Sequence, residues 1–188
     1  MLKIITFLWQ RIPSGYQLPA VCDYTAKHVN VLESMLKRNL TIPHELICIT
    51  DMPDGINCKT LPLWDKCKHL GGCYNRLYIF SEDMRGLIGE RFACIDLDCV
   101  ITGNLDHIFS RTEPFLINRY NFPDYTEQKY NGSLMIMDAG SMAHVWETFN
   151  PQYSPAMINS EREAKRRIGT DQAWISLKVK DAPTLGNE

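Results

Sequence analysis

Two aspartates one residue apart, Asp96 and Asp98, end an apolar run, Phe92-Ala93-Cys94-Ile95, and a second apolar run starts at Cys99-Val100-Ile101. Residues 92 to 95 read as a short, fully buried strand. If the chain stays extended through Asp98, Leu97 points to one face and both carboxylates to the other, roughly 6.6 Å apart. At an effective dielectric near 20 their repulsion is about 2.5 kcal/mol, which favours a cation between them. The sharper expectation is therefore a divalent-metal site that binds a phosphorylated ligand. The competing expectation is a strand that ends in a turn, each aspartate capping backbone amides.

The elements that must position this pair alternate between strand and helix. Met1 to Trp9 reads as a buried first strand, followed by a Pro/Gly-rich loop over 11–18. Ala26, Val29, Leu32, Met35, Leu36 and Leu40 recur at helical spacing, which predicts a helix over 23–40 with Asp23 or Thr25 as N-cap. Strands are expected over 45–50 and 59–63, so the first half is a right-handed βαβ unit in a mostly parallel sheet. A helix over 73–83 carries Arg76. Beyond the aspartates come a turn at Gly103-Asn104-Leu105, a short helix over 106–110 and a strand over 113–119. A polar loop over 120–130 carries Tyr120, Phe122, Tyr125 and Tyr130. Then follow a strand over 132–137, a helix over 141–149, a loop over 151–160, a charged helical stretch over 161–168 and a last helix from Thr170-Asp171-Gln172. The expected class is α/β. In open sheets of this kind ligands bind beyond the carboxyl ends of strands, where Asp96 and Asp98 fall.

The 188 residues fit one domain with a substantial core. A net charge of −2 gives no reason to expect nucleic acid or an anionic membrane as partner. The first apolar run is too short for a membrane span and lacks a cleavage site. Seven cysteines without a CxxC pair suit neither a zinc framework nor a disulfide scaffold. A reducing, cytoplasmic setting is expected.

The segment Ile95-Asp96-Leu97-Asp98-Cys99-Val100-Ile101 with Gly103-Asn104-Leu105-Asp106-His107-Ile108-Phe109 resembles the DxD region of GT-A glycosyltransferases, closest to the retaining family 8 (glycogenin and galactosyltransferase-like) group. Tyr74-Asn75-Arg76-Leu77, Asn131-Gly132-Ser133-Leu134-Met135-Ile136-Met137 and Gly169-Thr170-Asp171-Gln172 resemble three further segments of that family, in matching order. The resemblance runs from residue 1 to about residue 178. It implies a GT-A (Rossmann-like) three-layer sandwich that takes a hexose from a nucleotide sugar, UDP-glucose or UDP-galactose, to a saccharide or other glycan acceptor with retention. It places Asp98 and Asp96 on Mn²⁺ or Mg²⁺, Asp96 also near the ribose, and Arg76 beside the phosphates or Asp96. Thr6 to Trp9 would hold the nucleobase, with Tyr24 stacking on it. Asn131, Asp171 and Gln172 fall on the sugar and acceptor side, with Asp171 on donor hydroxyls and Gln172 under the anomeric carbon. The alternative for Asp171 is N-capping of the last helix, and for Arg76 a surface ion pair. The family's usual third metal ligand, in a His-x-x-Gly-x-x-Lys segment, has no counterpart after Leu177; the expectation is either a metal completed by water and phosphate or a shortened or atypical version of the family, in both cases with low donor affinity and turnover for want of that lysine.

Two other readings compete. A non-catalytic nucleotide-sugar-binding module accounts for the missing segment, and an intact DxD and Asp-Gln pair speak against it. A sugar-phosphate nucleotidyltransferase calls for a Gly-rich loop after the first strand, and Pro13-Ser14-Gly15 is a poor match.

Overall fold

A computed structural model describes residues 1–10 and 24–185; the expected loop over 11–18, Cys22 and Asp23 lie outside them. Strands β1 (Leu2–Leu8), β2 (His44–Thr50), β3 (Lys59–Leu61), β4 (Arg91–Ile95), β5 (Phe115–Arg119), β6 (Tyr130–Asp138) and β7 (Thr184–Leu185) form one sheet in the order β3-β2-β1-β4-β6-β5-β7. Four of its six pairings are parallel; β6 runs antiparallel to both β4 and β5. The expected α/β class and mostly parallel sheet are both present.

Strand alternation sends side chains into two cores. Ile4, Leu46, Cys48, Ala93, Leu116 and Ile136 face one side, where helix α1 (Ala26–Asn39) buries Val29, Leu32, Met35 and Leu36. Ile5, Ile47, Phe92, Cys94, Phe115 and Met135 face the other. That side is covered by a 3-10 helix (Tyr74–Phe80) and by α2 (Met84–Leu87), α4 (His144–Glu147), α5 (Ser154–Glu163) and α6 (Asp171–Lys178). A further short helix, α3 (Asp106–Phe109), buries Phe109 on the α1 side. Three layers result.

Five expectations are corrected. The helix over 73–83 is a 3-10 helix whose seven residues are all buried, so no polar face exists to register an α-helical period. Residues 154–163, expected as the end of a loop and the start of a charged helix, form α5. Pro155 sits in its first turn, where no amide hydrogen is needed, and Ile158 supplies the core contact. The helix does not run on to residue 168. Lys165 adopts φ 52°, its N–H bonds Arg162 O at 2.9 Å, and Arg166 N bonds Glu161 O at 2.9 Å, which is a Schellman stop. The helix over 141–149 shortens to the four residues of α4 with turns on either side, and β3 is shorter than expected at Lys59–Leu61.

The segment after the aspartates is tied to α1. Leu105 N bonds Asn39 O at 2.8 Å, and the Asp106 carboxylate accepts from Thr41 N at 2.8 Å and Asn104 Nδ2 at 3.1 Å. Hydrogen bonds from the Thr41 and Asn104 side chains pull Asp106 down to about 2 from 3.8. A depressed carboxylate stabilises the fold above its unfolded pKa and loses that contribution as pH falls through the folded one. The melting-temperature advantage of wild type over Asp106→Asn is therefore expected to be full above pH 4 and to shrink towards pH 2.

Candidate functional site

The strand order reverses at β1, whose neighbours are β2 on one side and β4 on the other. The three strands run parallel, so their carboxyl ends share an edge, and a crevice opens where the chain departs in opposite directions. There the structure has a pocket of about 510 Å³, within the usual range for small-molecule sites. Its walls are Phe7 to Gln10 at and beyond the end of β1, Tyr24 and Thr25 before α1, Met52 after β2, Cys73 and Arg76, and Asp96 to Asp98 after β4.

β1 and β4 stay paired only through Ile5 and Cys94. The next bond comes from a side chain: Thr6 Oγ1 donates to Ile95 O at 2.8 Å. Thr6 is fully buried and absent from the pocket walls, so it fastens the two strands where they diverge, and the pocket begins at Phe7 instead. Trp9 and Tyr24 both reach the walls. Trp9 packs edge-on against Phe7 at 5.8 Å, and Tyr24 edge-on against His28 at 5.2 Å.

The chain does not stay extended through Asp98. Asp96 N bonds Ser133 O of β6 at 2.9 Å, then Cys99 N turns back to Asp96 O at 3.3 Å. Leu97 drops into the α1-side core and Asp98 is exposed. The strand-spacing estimate for the two carboxylates thus fails, because burying Leu97 bends the backbone into a turn. Both carboxylates nevertheless line one pocket.

Arg76 explains how Asp96 is held. Its guanidinium is 9% exposed. Nη1 pairs with Asp96 Oδ1, and Nη2 lies 2.6 Å from Asp171 Oδ2 and donates to Gly132 O at 3.3 Å. Burial alone would lower the arginine's pKa, but Asp171 and Asp96 outweigh it and hold the charge. Burial pushes the Asp96 carboxyl up to about 6; Arg76 opposes that shift, while Asp171 and Asp98 add to it. Two carboxylates thus pair with one guanidinium, and Asp98 adds a further negative charge beside Asp96, so the cluster carries a negative excess towards the pocket. The surface ion pair considered for Arg76 is replaced by a buried bridge between three segments.

Asp171 is the first residue of α6 and is 5% exposed. Thr170 occupies the N-cap position and Asp171 makes no capping bond. Neither Asp171 nor Gln172 lines the pocket. The Gln172 side chain lies over Gly169, where an added Cβ would come within 2.8 Å of Gln172 Cγ. Asn131 also stays off the walls; its Oδ1 accepts from Ser133 N at 2.8 Å. The structure therefore brings together Trp9, Tyr24, Arg76, Asp96 and Asp98, with Asp171 behind Arg76. Sequence reasoning missed Gly132 as the close passage for Arg76, and Gln128. The Gln128 amide, 6% exposed, donates to Tyr130 O at 2.6 Å and Ser176 Oγ at 3.0 Å and accepts from Ile168 N at 3.2 Å. A glutamine in a polar loop carries no sequence signal for such a role. Cys73 and Cys99 flank the site, but burial pushes their thiols up to about 11 and 12, so neither is a thiolate nucleophile.

No protein-family model matches the sequence, and no curated protein does. Solved structures do match. The galactosyltransferase LgtC, crystallised with donor and acceptor sugar analogues, aligns with a TM-score of 0.58 at 8% identity, over 97% of this chain and 73% of that one. The glycosyltransferase GlyE of Streptococcus pneumoniae aligns with a TM-score of 0.60 at 12% identity, and its apo form with 0.59 at 14%. All of this chain but only 46% of GlyE is covered. The architecture is thus that of GT-A glycosyltransferases. No helix among the described residues is long and apolar enough to cross a membrane.

Removing one partner of a buried ion cluster costs about 3–5 kcal/mol because the remaining charges stay buried; Arg76→Met is expected to destabilise by that order. A Cβ at residue 132 would meet Arg76 Nη2 at 2.5 Å, so Gly132→Ala is expected to cost about 1–3 kcal/mol by overpacking. Urea denaturation of both variants checks this; wild-type midpoints would show that the bridge holds nothing.

Proposed function

We propose that the chain is a metal-dependent glycosyltransferase of the retaining, family-8-like kind, moving a hexose from UDP-glucose or UDP-galactose to a saccharide acceptor. The observation that carries this reading is the buried Arg76 fixing Asp96 beside Asp98 on the wall of a pocket at the sheet's switch point. The glycosyltransferase fold of the structural neighbours supports it.

The donor set suits a hard divalent ion, since two carboxylates with a negative excess face the pocket. Among the described residues no group of three His, Cys, Asp or Glu could hold a metal, so water and donor phosphate would complete the coordination. Mn²⁺ or Mg²⁺ held by Asp98 and Asp96 would act as Lewis acid for the departing pyrophosphate.

The chain's own residues have distinct tasks. Trp9 and Tyr24 flank the nucleobase, with the backbone of Phe7 to Gln10 along its edge. Arg76 keeps Asp96 ionised and aimed, and adds positive charge near the phosphates. Asp171 acts through Arg76 as a positioning residue, and Gln172 stands on the acceptor side with Asn131. In the transfer, the anomeric C–O bond to the nucleotide breaks and its electron pair stays on the phosphate oxygen. The acceptor hydroxyl oxygen bonds to the anomeric carbon on the same face, and its proton passes to that phosphate oxygen.

Calorimetric titration of UDP-glucose and UDP-galactose, with and without Mn²⁺, tests the reading. Binding is expected only with Mn²⁺, accompanied by slow UDP release, and weakened by at least about a hundredfold in Asp98→Ala, since losing a direct ligand costs more than losing an outer-shell partner. Absence of metal-dependent binding of either donor would overturn it.

A further inference from the structure

Beyond the pocket, the segment joining β5 to β6 holds an aromatic group that the donor site does not use. Tyr120 packs against Phe122 at 5.5 Å between ring centroids and edge-on against Tyr125 at 6.5 Å. Phe122 is nevertheless 64% exposed. A phenylalanine left in water gains nothing from folding, and a rigid exposed aromatic group is a recognisable binding feature.

The segment is braced. Tyr120 N bonds Lys129 O at 3.0 Å and closes its base. Thr126 N bonds Lys165 O at 3.3 Å, and Glu127 N bonds Arg166 O at 3.0 Å. Arg167, itself 9% exposed, pairs with Glu127 at 2.9 Å and with Glu161. Gln128 then anchors the end of the segment through the buried bonds given above. The rings are therefore presented on a fixed loop, which lowers the ordering cost of binding.

Its position matters too. β6 is antiparallel to both β4 and β5, so β4 and β5 point the same way, and the segment after β5 leaves the same sheet edge as Asp96 to Asp98. Two strand spacings separate them, about 9–10 Å. Asn121 and Asp124, both exposed, place amide and carboxylate groups beside the rings.

We infer that Tyr120, Phe122 and Tyr125 form a saccharide-binding platform on the acceptor side of the site. The C–H face of a pyranose is apolar and weakly positive, complementary to the negative face of an aromatic ring. The hydroxyls at the sugar's rim meet Asn121 and Asp124. The acceptor role rests on the transferase reading; the saccharide contact does not, and it is measured without donor or metal.

The test is saturation-transfer NMR on the whole chain with maltotriose, cellotriose and lactose as probes, protein aromatic protons being irradiated. At least one probe is expected to receive saturation, with an affinity reduced about threefold to tenfold in Phe122→Ala and in Tyr125→Ala, and unchanged in Asp98→Ala. The circular dichroism melt of Phe122→Ala should match wild type, since its ring lies mostly in solvent. Saturation of none of the three sugars, or equal transfer in wild type and Phe122→Ala, would overturn the platform. Loss of UDP-sugar binding with sugar contact retained would instead overturn the transferase reading alone.

Discussion

Burying a guanidinium removes several kcal/mol of hydration, which only close, well-directed partners recover. Arg76 has hydrogen-bond partners in Asp96 after β4 and the Gly132 carbonyl in β6, and a close ion pair, without hydrogen-bond geometry, in Asp171 at the start of α6. Each comes from a distant part of the sequence, so the bridge forms only when the sheet, the 3-10 helix and α6 are all in place. Its dependence on Gly132 is steric, because any side chain there would occupy the space of the guanidinium. The rest of the site follows from this contact. Asp96 is fixed at the strand end and Asp98 is carried into the pocket by the turn that buries Leu97.

The same contact sets the electrostatics. One cation between two carboxylates offsets part of the buried charge, leaves Arg76 Nε and Asp171 Oδ2 without a hydrogen-bond partner among the described residues, and with Asp98 nearby leaves the outer edge negative. A buried ion cluster is weak evidence for stability, since apolar replacements are often as stable. Its position beside a pocket at the switch point is what the proposed binding role rests on. The fold shared with LgtC and GlyE at 8–14% identity is consistent with that use without specifying donor or acceptor.

Much of the architecture is legible in the sequence because strand and helix periods differ. The first βαβ unit, β4 and the aspartates at its end all follow from local patterning. What escaped it has physical causes. The 3-10 helix is buried on every side, so it has no amphipathic signal. α5 is hidden behind proline and polar residues, and its ending at Lys165 depends on a left-handed residue that is not glycine. Leu97 reads equally well as a strand residue or as a turn residue that plugs a core. The pairing of Arg76 with Asp171 spans 95 positions, and Gln128 bonds Ile168 and Ser176 across 40 and 48; no local rule finds such partners. Asp171, which sequence offered as a sugar ligand or a helix cap, pairs with Arg76 behind the pocket.

The central claim is that Asp98 and the Arg76-held Asp96 make a cation site completed by a nucleotide's phosphates. Electron paramagnetic resonance of Mn²⁺, titrated with the protein in the presence and absence of UDP, measures this directly. With such a site the free-ion signal falls when wild-type protein and UDP are both present, more than UDP alone explains, and Asp98→Asn abolishes the difference. An unchanged signal, or equal loss with wild type and Asp98→Asn, would contradict it.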